Sequence, residues 1–204
     1  MSAAKEKIAV IDIGSNSIRL VIFDRFGRYP YSLFNERITC KLGSNLDKTG
    51  FLGKNEINLS LATLRRFSKI INNTKPDNVF IIGTAALRRA SNSEEFIIPA
   101  EKILSLPIKI LSGEEEAMLV AKGLIANIPK ANGLIGDLGG GSFELIKVEF
   151  GKIRELRSFD FGHLHEIDLK FIKKKFKELN WNNEGSDKFF YGVGGSFRKL
   201  GTVF

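Results

Sequence analysis

The sequence contains few of the residues that build disulfide frameworks or metal sites of the Cys/His type. Cys40 is the only cysteine among 204 residues, and His163 and His165 are the only histidines. A single cysteine excludes an intrachain disulfide framework and fits a reducing compartment. One cysteine and two neighbouring histidines also exclude a tetrahedral Cys/His zinc site.

The sequence also lacks a long hydrophobic run. No apolar stretch approaches the roughly 20 residues of a membrane-spanning helix. The N-terminal segment MSAAKEK is short and polar, without the apolar centre of a signal peptide. We therefore expect a cytoplasmic protein with no membrane partner.

The composition is that of a globular protein with a basic surface. Hydrophobic residues make up 43% of the chain, 17 residues are phenylalanine, and the formal net charge is +8. The length allows one large domain or two small ones with a hydrophobic core. Excess positive charge favours a polyanionic partner such as nucleic acid, polyphosphate or a nucleotide, although solubility alone also explains it.

One short pattern occurs twice in the chain. It reads IAVIDIGSNSIRLVIF at residues 8–23 and GLIGDLGGGSFELIKV at residues 133–148. In both copies an apolar run ends at an aspartate, a turn of small residues follows, and a serine precedes a second apolar run. The aligned pairs are Asp12 with Asp137, Gly14 with Gly139, Ser17 with Ser142, and Arg19 with Glu144. Two copies with the same internal spacing indicate a duplicated site.

Hydrophobic periodicity predicts the element order βββαβαβα over residues 8–125. The order restarts at residue 133, continues through a lysine-rich helix at 164–179, and ends after a strand at 188–193. Asn, Pro and Lys cluster at residues 127–132, as in a linker. We therefore predict a first domain at residues 1–127 and a second at residues 128–204, with the second incomplete at its C-terminal end.

Four sequence blocks carry a resemblance to a known family. They are AVIDIGSNSIRLVIF, IIGTAALRRASN, ILSGEEEAMLVAKG and LIGDLGGGSFELIKV. In this order they resemble the exopolyphosphatase and guanosine pentaphosphate phosphohydrolase (Ppx/GppA) family. The resemblance implies an actin-like (ribonuclease H-like) α/β fold, with two duplicated domains around a cleft. It is weaker after about residue 152, where His163 and His165 replace a small-residue turn and GVGGSFRKLG resembles a later glycine-rich turn.

The two turns of small residues are candidate phosphate-binding sites. A glycine-rich turn can direct several backbone N–H groups at one anion, and glycine lets the backbone approach it closely. Ordinary hairpin turns are the alternative explanation, which the duplication disfavours. The candidate residues are Gly14, Ser15, Asn16 and Ser17 in the first copy, and Gly139, Gly140, Gly141 and Ser142 in the second.

Charged residues beside the turns are candidates for metal and phosphate binding. Asp12 and Asp137 end apolar strands, where a carboxylate is costly unless something pairs with it. Either each one caps its own turn, or it binds Mg²⁺ together with water and phosphate oxygens. We expect Asp137 and Glu144 to hold Mg²⁺, with Asp12 as a further candidate, and Arg19 to contact phosphate because arginine suits its oxygens.

The block SGEEEA contains three consecutive glutamates. Ser112 and Glu115 have the spacing of a helix capping box, which makes Glu115 structural. Favourable interaction with a helix N-terminus would explain all three acidic residues without any catalytic role. The family resemblance implies that Glu116 is the general base, that Arg88 contacts phosphate, and that Arg89 faces solvent.

The resulting expectation is an enzyme that uses Mg²⁺ to release terminal phosphate from polyphosphate or guanosine pentaphosphate. The net charge does not distinguish between these two substrates. We do not expect nucleic acid to be a partner. The sequence leaves open whether the protein forms a homodimer. The lysine-rich helix either extends a track for a long polyanion or forms a solvated face. The alternatives are an ATP-dependent kinase or ATPase of the same superfold and a non-catalytic polyphosphate- or nucleotide-binding fragment.

Overall fold

The computed structural model describes residues 6–27, 30–166, 168–179, 181 and 189–202. The chain divides into two compact units, residues 1–112 and residues 113–204. Each unit is built on one β-sheet with helices packed against it.

The first sheet combines an antiparallel meander with two parallel strands. Its order is β3-β2-β1-β4-β5, with β1 antiparallel to β2, β2 antiparallel to β3, and β4 parallel to both β1 and β5. The strands are β1 (Ile8–Ile13), β2 (Ser17–Phe23), β3 (Ser32–Thr39), β4 (Asn78–Gly83) and β5 (Lys109–Ile110). Because β1 lies between β2 and β4, its C-terminal end with Asp12 is at the centre of the sheet edge.

Helices of the first unit cover one face of this sheet. They are α1 (Leu46–Thr49), α2 (Lys54–Thr74), α3 (Ala85–Arg89) and α4 (Glu94–Leu104). In α2 the apolar residues recur every three or four positions, so one stripe faces the core. Phe67 of α2 and Phe96 of α4 are fully buried in the same cluster as Ile11, Ile13 and Leu20 of the sheet. Helix α1 was not predicted because four residues are too short to show a helical period.

The second unit repeats the start of this arrangement. Its sheet has the order β8-β7-β6-β9, with β6, β7 and β8 antiparallel and β9 parallel to β6. The elements are α5 (Gly113–Asn127), β6 (Gly133–Leu138), β7 (Phe143–Glu149), β8 (Lys152–Phe159), α6 (Leu169–Lys177), β9 (Phe190–Val193) and α7 (Gly194–Leu200). Strands β6, β7 and β9 therefore correspond to β1, β2 and β4.

Two hydrophobic clusters occupy opposite faces of the second sheet. On one face Ala117 and Ala121 of α5 pack against Ile135 and Ile146. The other face carries an aromatic cluster. Its rings, with centroids 5.4–6.1 Å from a neighbour, belong to Phe143, Phe159, Phe161, Phe171 and Phe176.

The predicted start of the lysine-rich helix at residue 164 is wrong. Leu164 lies in a turn, and its N–H donates to the carbonyl of Gly140 at 3.1 Å. The helix begins at Leu169, where the Asp168 side chain accepts from the N–H of Lys170 at 3.1 Å and so caps the first turn. Residue 188, the predicted start of the last strand, and Ile167 in the predicted helix lie outside the described residues.

In the part of the chain described above, no helix is both long and apolar enough to cross a membrane.

Candidate functional site

The two small-residue turns have the same internal hydrogen bond. The N–H of Gly139 donates to the carbonyl of Ser142 at 3.0 Å, and the N–H of Gly14 donates to the carbonyl of Ser17 at 3.1 Å. These two glycine N–H groups therefore close their own turns. Other groups of the turns have to supply the donors for a ligand.

In the second unit, the loop that follows β8 holds two carbonyl groups of the turn. The N–H of His163 donates to the carbonyl of Gly139 at 3.0 Å, and the N–H of Leu164 donates to that of Gly140 at 3.1 Å. In a planar trans peptide the N–H points opposite to the C=O. The N–H groups of Gly140 and Gly141 therefore point away from the loop, and they have no acceptor among the described residues.

The first unit supports its turn in the same way. The carbonyl of Ser15 accepts from the N–H of Gly43 at 2.8 Å, and the carbonyl of Asn16 accepts from Cys40 and Lys41 at 3.1 and 2.9 Å. By the same peptide geometry the N–H groups of Asn16 and Ser17 point away from the loop after β3. Each turn thus directs two consecutive N–H groups outward, as an anion site requires.

A glycine in each supporting loop makes the close contact possible. A Cβ on Gly162 would lie 2.4 Å from the carbonyl carbon and oxygen of Gly140. A Cβ on Gly43 would lie 2.9 Å from the Cβ of Ser15. Sequence reasoning missed both glycines, although each follows the third strand of its half, which was a usable signal.

Asp137 and Glu144 face each other across β6 and β7. They are directly opposite in the strand register, and they share the sheet face of Ile135 and Ile146, which α5 covers. Glu144 is 1% exposed, and its Oε1 accepts from the Ser158 hydroxyl at 3.0 Å. A carboxylate so far from solvent needs such polar partners, which β8 supplies.

The Asp137 carboxylate lies directly against Gly194, where β9 leads into α7. A Cβ on Gly194 would be 2.4 Å from Oδ1 of Asp137, and Gly194 has a positive φ of 85°. Two residues further on, the Ser196 hydroxyl donates to the carbonyl of Leu138 at 2.8 Å. The later glycine-rich segment therefore packs against the end of β6.

The first unit places an arginine where the second unit has Glu144. Arg19 is directly opposite Asp12 in the register of β1 and β2. Its Nε donates to Oδ1 of Asn35 on β3 at 2.9 Å, which orients the guanidinium. The two halves therefore carry opposite charges at this position, as the alignment of the two patterns predicts.

Glu116 is the half-buried member of the three consecutive glutamates. Glu114 and Glu115 are exposed, whereas Glu116 precedes the buried Ala117 on the side of α5 that faces the sheet. Asp137 lies on the sheet face that this helix covers. Glu116 therefore differs from its two neighbours in facing the same side of the sheet as the candidate metal ligands.

Arg88 and Arg89 have separate partners within the first unit. Nη1 of Arg88 donates to the carbonyl of Leu111 at 2.6 Å. Arg89 is partly exposed and forms a surface ion pair with Asp47 of α1 at 2.7 Å. The sequence pattern did not reveal this partner because it did not reveal α1.

The described residues contain no group of three or more His, Cys, Asp or Glu side chains that could hold a metal by themselves. Asp137 and Glu144 are nevertheless an adjacent pair of carboxylates that could supply oxygen ligands. Mg²⁺ is commonly bound by one or two carboxylates and completed by water and phosphate oxygens. The donor set therefore fits Mg²⁺ bound together with a phosphate substrate better than a metal enclosed by protein alone.

Comparison with known proteins identifies the family. The sequence profile of the Ppx/GppA phosphatase family matches residues 21–174, which is most of the chain. The chain belongs to the Ppx/GppA phosphatase family. A guanosine-5'-triphosphate,3'-diphosphate pyrophosphatase of Vibrio cholerae is 32% identical over 177 residues, covering 86% of this chain and 35% of that protein. The chain thus spans about a third of the length of such relatives.

Solved structures of the Ppx/GppA family agree with the fold. An exopolyphosphatase from Cytophaga hutchinsonii has a TM-score of 0.83 at 27% identity, over 97% of this chain and 69% of that one. The Aquifex aeolicus Ppx/GppA enzyme has a TM-score of 0.78 at 25% identity, over 97% and 70%. The predicted family and the predicted actin-like α/β fold class are confirmed.

Proposed function

We propose that this chain hydrolyses the terminal phosphoanhydride bond of inorganic polyphosphate or guanosine pentaphosphate. The observation that carries the proposal is the pair of equivalent turns, each with two consecutive N–H groups directed outward by a supporting loop. Membership of the Ppx/GppA phosphatase family supports the same reaction class. Phosphoryl transfer depends mainly on positioning and on neutralising charge, which such turns provide.

The two turns bind phosphate oxygens through their outward N–H groups. In the second unit these belong to Gly140 and Gly141, with the Ser142 hydroxyl as a further donor. In the first unit they belong to Asn16 and Ser17. Arg19 and Arg88 add positive charge, and hydrogen bonds from charged donors are the stronger kind.

Asp137 and Glu144 would hold Mg²⁺, with Asp12 as a further ligand candidate in the first unit. When bound, Mg²⁺ neutralises charge on phosphate oxygens and orients the reacting group. The protein's part is to fix both carboxylates. Ser158 donates to Glu144, and the absence of a side chain at Gly194 leaves room for Asp137.

Glu116 accepts the proton from the attacking water. A carboxylate in this role has to lie within hydrogen-bonding reach of the water, and general-base catalysis contributes about 10²–10⁴-fold. We expect Glu116→Gln to lower phosphate release by about that factor while the chain stays folded. The matched variant Glu115→Gln, at an exposed position in the same helix turn, should change activity little. Equal loss of activity in both variants would contradict the assignment.

One experiment separates this reaction from the alternatives. Released phosphate is measured with polyphosphate, guanosine pentaphosphate and ATP, each with and without Mg²⁺. Release from ATP alone, or transfer to an acceptor, would favour a kinase or ATPase. Saturable binding without release would favour a non-catalytic polyphosphate- or nucleotide-binding fragment.

A further inference from the structure

Helix α6 presents a strongly basic face to solvent. The four side chains on it are exposed and belong to Lys170, Lys173, Lys174 and Lys177. Their spacing of three and four residues places them along one stripe of the helix, about 10 Å long. Together with Glu178 they line an open concavity of about 460 Å³. These four lysines are the basic face of α6.

The charge of this face is not neutralised within the part of the chain that the structure describes. Lys175, the fifth lysine of the helix, differs because its ammonium group donates to Oε2 of Glu178 at 3.1 Å. Among the described residues, the side chains of the other four lysines have neither a hydrogen bond nor an ion pair. The helix sequence LKFIKKKFK contains no acidic residue. The face therefore offers four ammonium groups to a partner.

Aromatic side chains attach α6 to the second unit and determine which side of the helix is outside. The Phe171 ring meets that of Phe161 edge to face at 6.1 Å. The Phe176 ring lies 5.7 Å from that of Phe159 on β8. These contacts hold the side of the helix opposite the four lysines, so the basic face points away from the protein.

Apolar side chains border the basic face on both sides. With 3.6 residues per turn, Leu169 lies about 40° around the helix from Lys173. On the other side Phe171 lies about 60° from Lys174. Leu169 is 70% exposed and Phe171 is 46% exposed. Lysines beside exposed apolar groups are typical of helices at a membrane surface, where the ammonium groups meet lipid headgroups and the apolar groups enter the boundary beneath them.

A soluble polyanion would use only part of this surface. Inorganic polyphosphate or a nucleic acid backbone pairs with ammonium groups but buries none of the bordering apolar side chains. An anionic bilayer uses both the four charges and the exposed Leu169. Because Phe171 and Phe176 are already packed on the unit, the helix would lie on the headgroups without inserting deeply.

We propose that the basic face of α6 binds peripherally to membranes that contain anionic phospholipids. This interaction is separate from the hydrolysis of phosphoanhydrides. It needs no membrane-spanning segment, and it departs from the expectation of no membrane partner, which rested on the lack of such a segment. Each basic residue at an anionic membrane surface strengthens binding about fivefold, so four lysines give a preference of up to roughly several hundredfold over neutral lipid.

Flotation of the full chain with lipid vesicles measures the interaction. One set of vesicles contains phosphatidylcholine alone, and the other contains phosphatidylcholine with phosphatidylserine. We expect binding to the second set only. Raising the salt concentration from about 0.1 M to about 1 M shortens the screening length from about 10 Å to about 3 Å, so it should release the bound protein.

Variants locate the surface. Lys173→Gln combined with Lys174→Gln should weaken binding to the anionic vesicles about 25-fold, because two charges are lost. Leu169→Gln should weaken it about three- to tenfold, because the leucine no longer enters the apolar boundary. Lys130→Gln combined with Lys152→Gln is the matched control, since it removes the same charge from two exposed lysines outside α6. This control should change binding little. Circular dichroism checks that each variant is folded, as expected for substitutions at exposed positions.

Equal binding to both sets of vesicles would overturn the proposal, and so would equal losses in the double variant of α6 and its control. Long-chain polyphosphate is the competing partner. Polyphosphate binding that falls in the double variant of α6, without binding to anionic vesicles, would assign the face to a soluble polyanion and overturn the membrane proposal. Vesicle binding that Leu169→Gln leaves unchanged would also count against it, because the exposed leucine is what favours a bilayer.

Discussion

Replacement of Gly162 by alanine tests how the phosphate-binding turn is held. The added Cβ would lie 2.4 Å from the carbonyl carbon of Gly140 and 2.5 Å from the carbonyl oxygen of Gly139. Both neighbours are backbone atoms, which cannot rotate away as a side chain would. To reach an ordinary contact of 3.4 Å, the loop has to move by about 3.4 − 2.4 = 1.0 Å.

That displacement removes the hydrogen bonds that the loop makes. The bonds from His163 and Leu164 to the turn are 3.0 and 3.1 Å long. Lengthened by about 1 Å they exceed the hydrogen-bond range of roughly 2.7–3.2 Å. Each such bond contributes about 0.5–1.5 kcal/mol, and overpacking costs about 1–3 kcal/mol. We expect a loss of roughly 2–6 kcal/mol in the free energy of unfolding of the second unit.

Urea and thermal unfolding measure the loss of stability. For a unit of this size each kcal/mol lowers Tm by about 4–8 °C, so the expected fall in Tm is about 8 °C or more. Gly123→Ala is the matched control, because Gly123 lies in α5 with no atom within 4 Å of an added Cβ. This control should gain about 0.5–1 kcal/mol from the better helix propensity of alanine. The same variants are then titrated with tripolyphosphate, and only Gly162→Ala should bind it more weakly.

A Gly162→Ala variant as stable as the unchanged chain, within about 0.5 kcal/mol, would refute the reasoning. So would unchanged tripolyphosphate affinity in a variant that has lost stability, because the N–H groups of the turn would then not depend on the loop.

Two further substitutions test the carboxylate pair. Gly194→Ala should lower the free energy of unfolding by about 1–3 kcal/mol, because φ is +85° and the added Cβ would displace the Asp137 carboxylate. The Mg²⁺ concentration needed for phosphate release should rise. An unchanged Mg²⁺ titration would count against Asp137 as a ligand. Ser158→Ala should lower the free energy of unfolding by about 1–3 kcal/mol by removing a donor to the buried Glu144. Ser158→Thr keeps the hydroxyl and should restore most of that stability, whereas equal losses in both variants would point to packing.

Most strands and the longer helices of the first unit could be predicted from local pattern. Strand β1 begins at residue 8, where the predicted element order begins, because five β-branched or apolar residues and Asp12 lead to a glycine turn. The prediction for α6 began five residues too early, at Leu164 instead of Leu169. Apolar spacing alone cannot reveal that the N–H of Leu164 is already bonded to Gly140, 24 positions earlier in the chain.

The sequence by itself determined the duplicated turns and their charges. Two aligned patterns are enough to match Asp12 with Asp137 and Arg19 with Glu144. Strand pairing then places Asp12 opposite Arg19 and Asp137 opposite Glu144. Tertiary structure decided which groups of each turn are open to a ligand. The loop after the third strand forms hydrogen bonds with the carbonyl groups of the turn, so the N–H groups of Gly140 and Gly141 stay available to a ligand. This arrangement depends on contacts between segments more than 20 residues apart. Tertiary structure also buried Glu144 beside Ser158 and placed the Asp137 carboxylate against Gly194. The local sequence does not determine these contacts, because each side chain contacts residues that are distant along the chain.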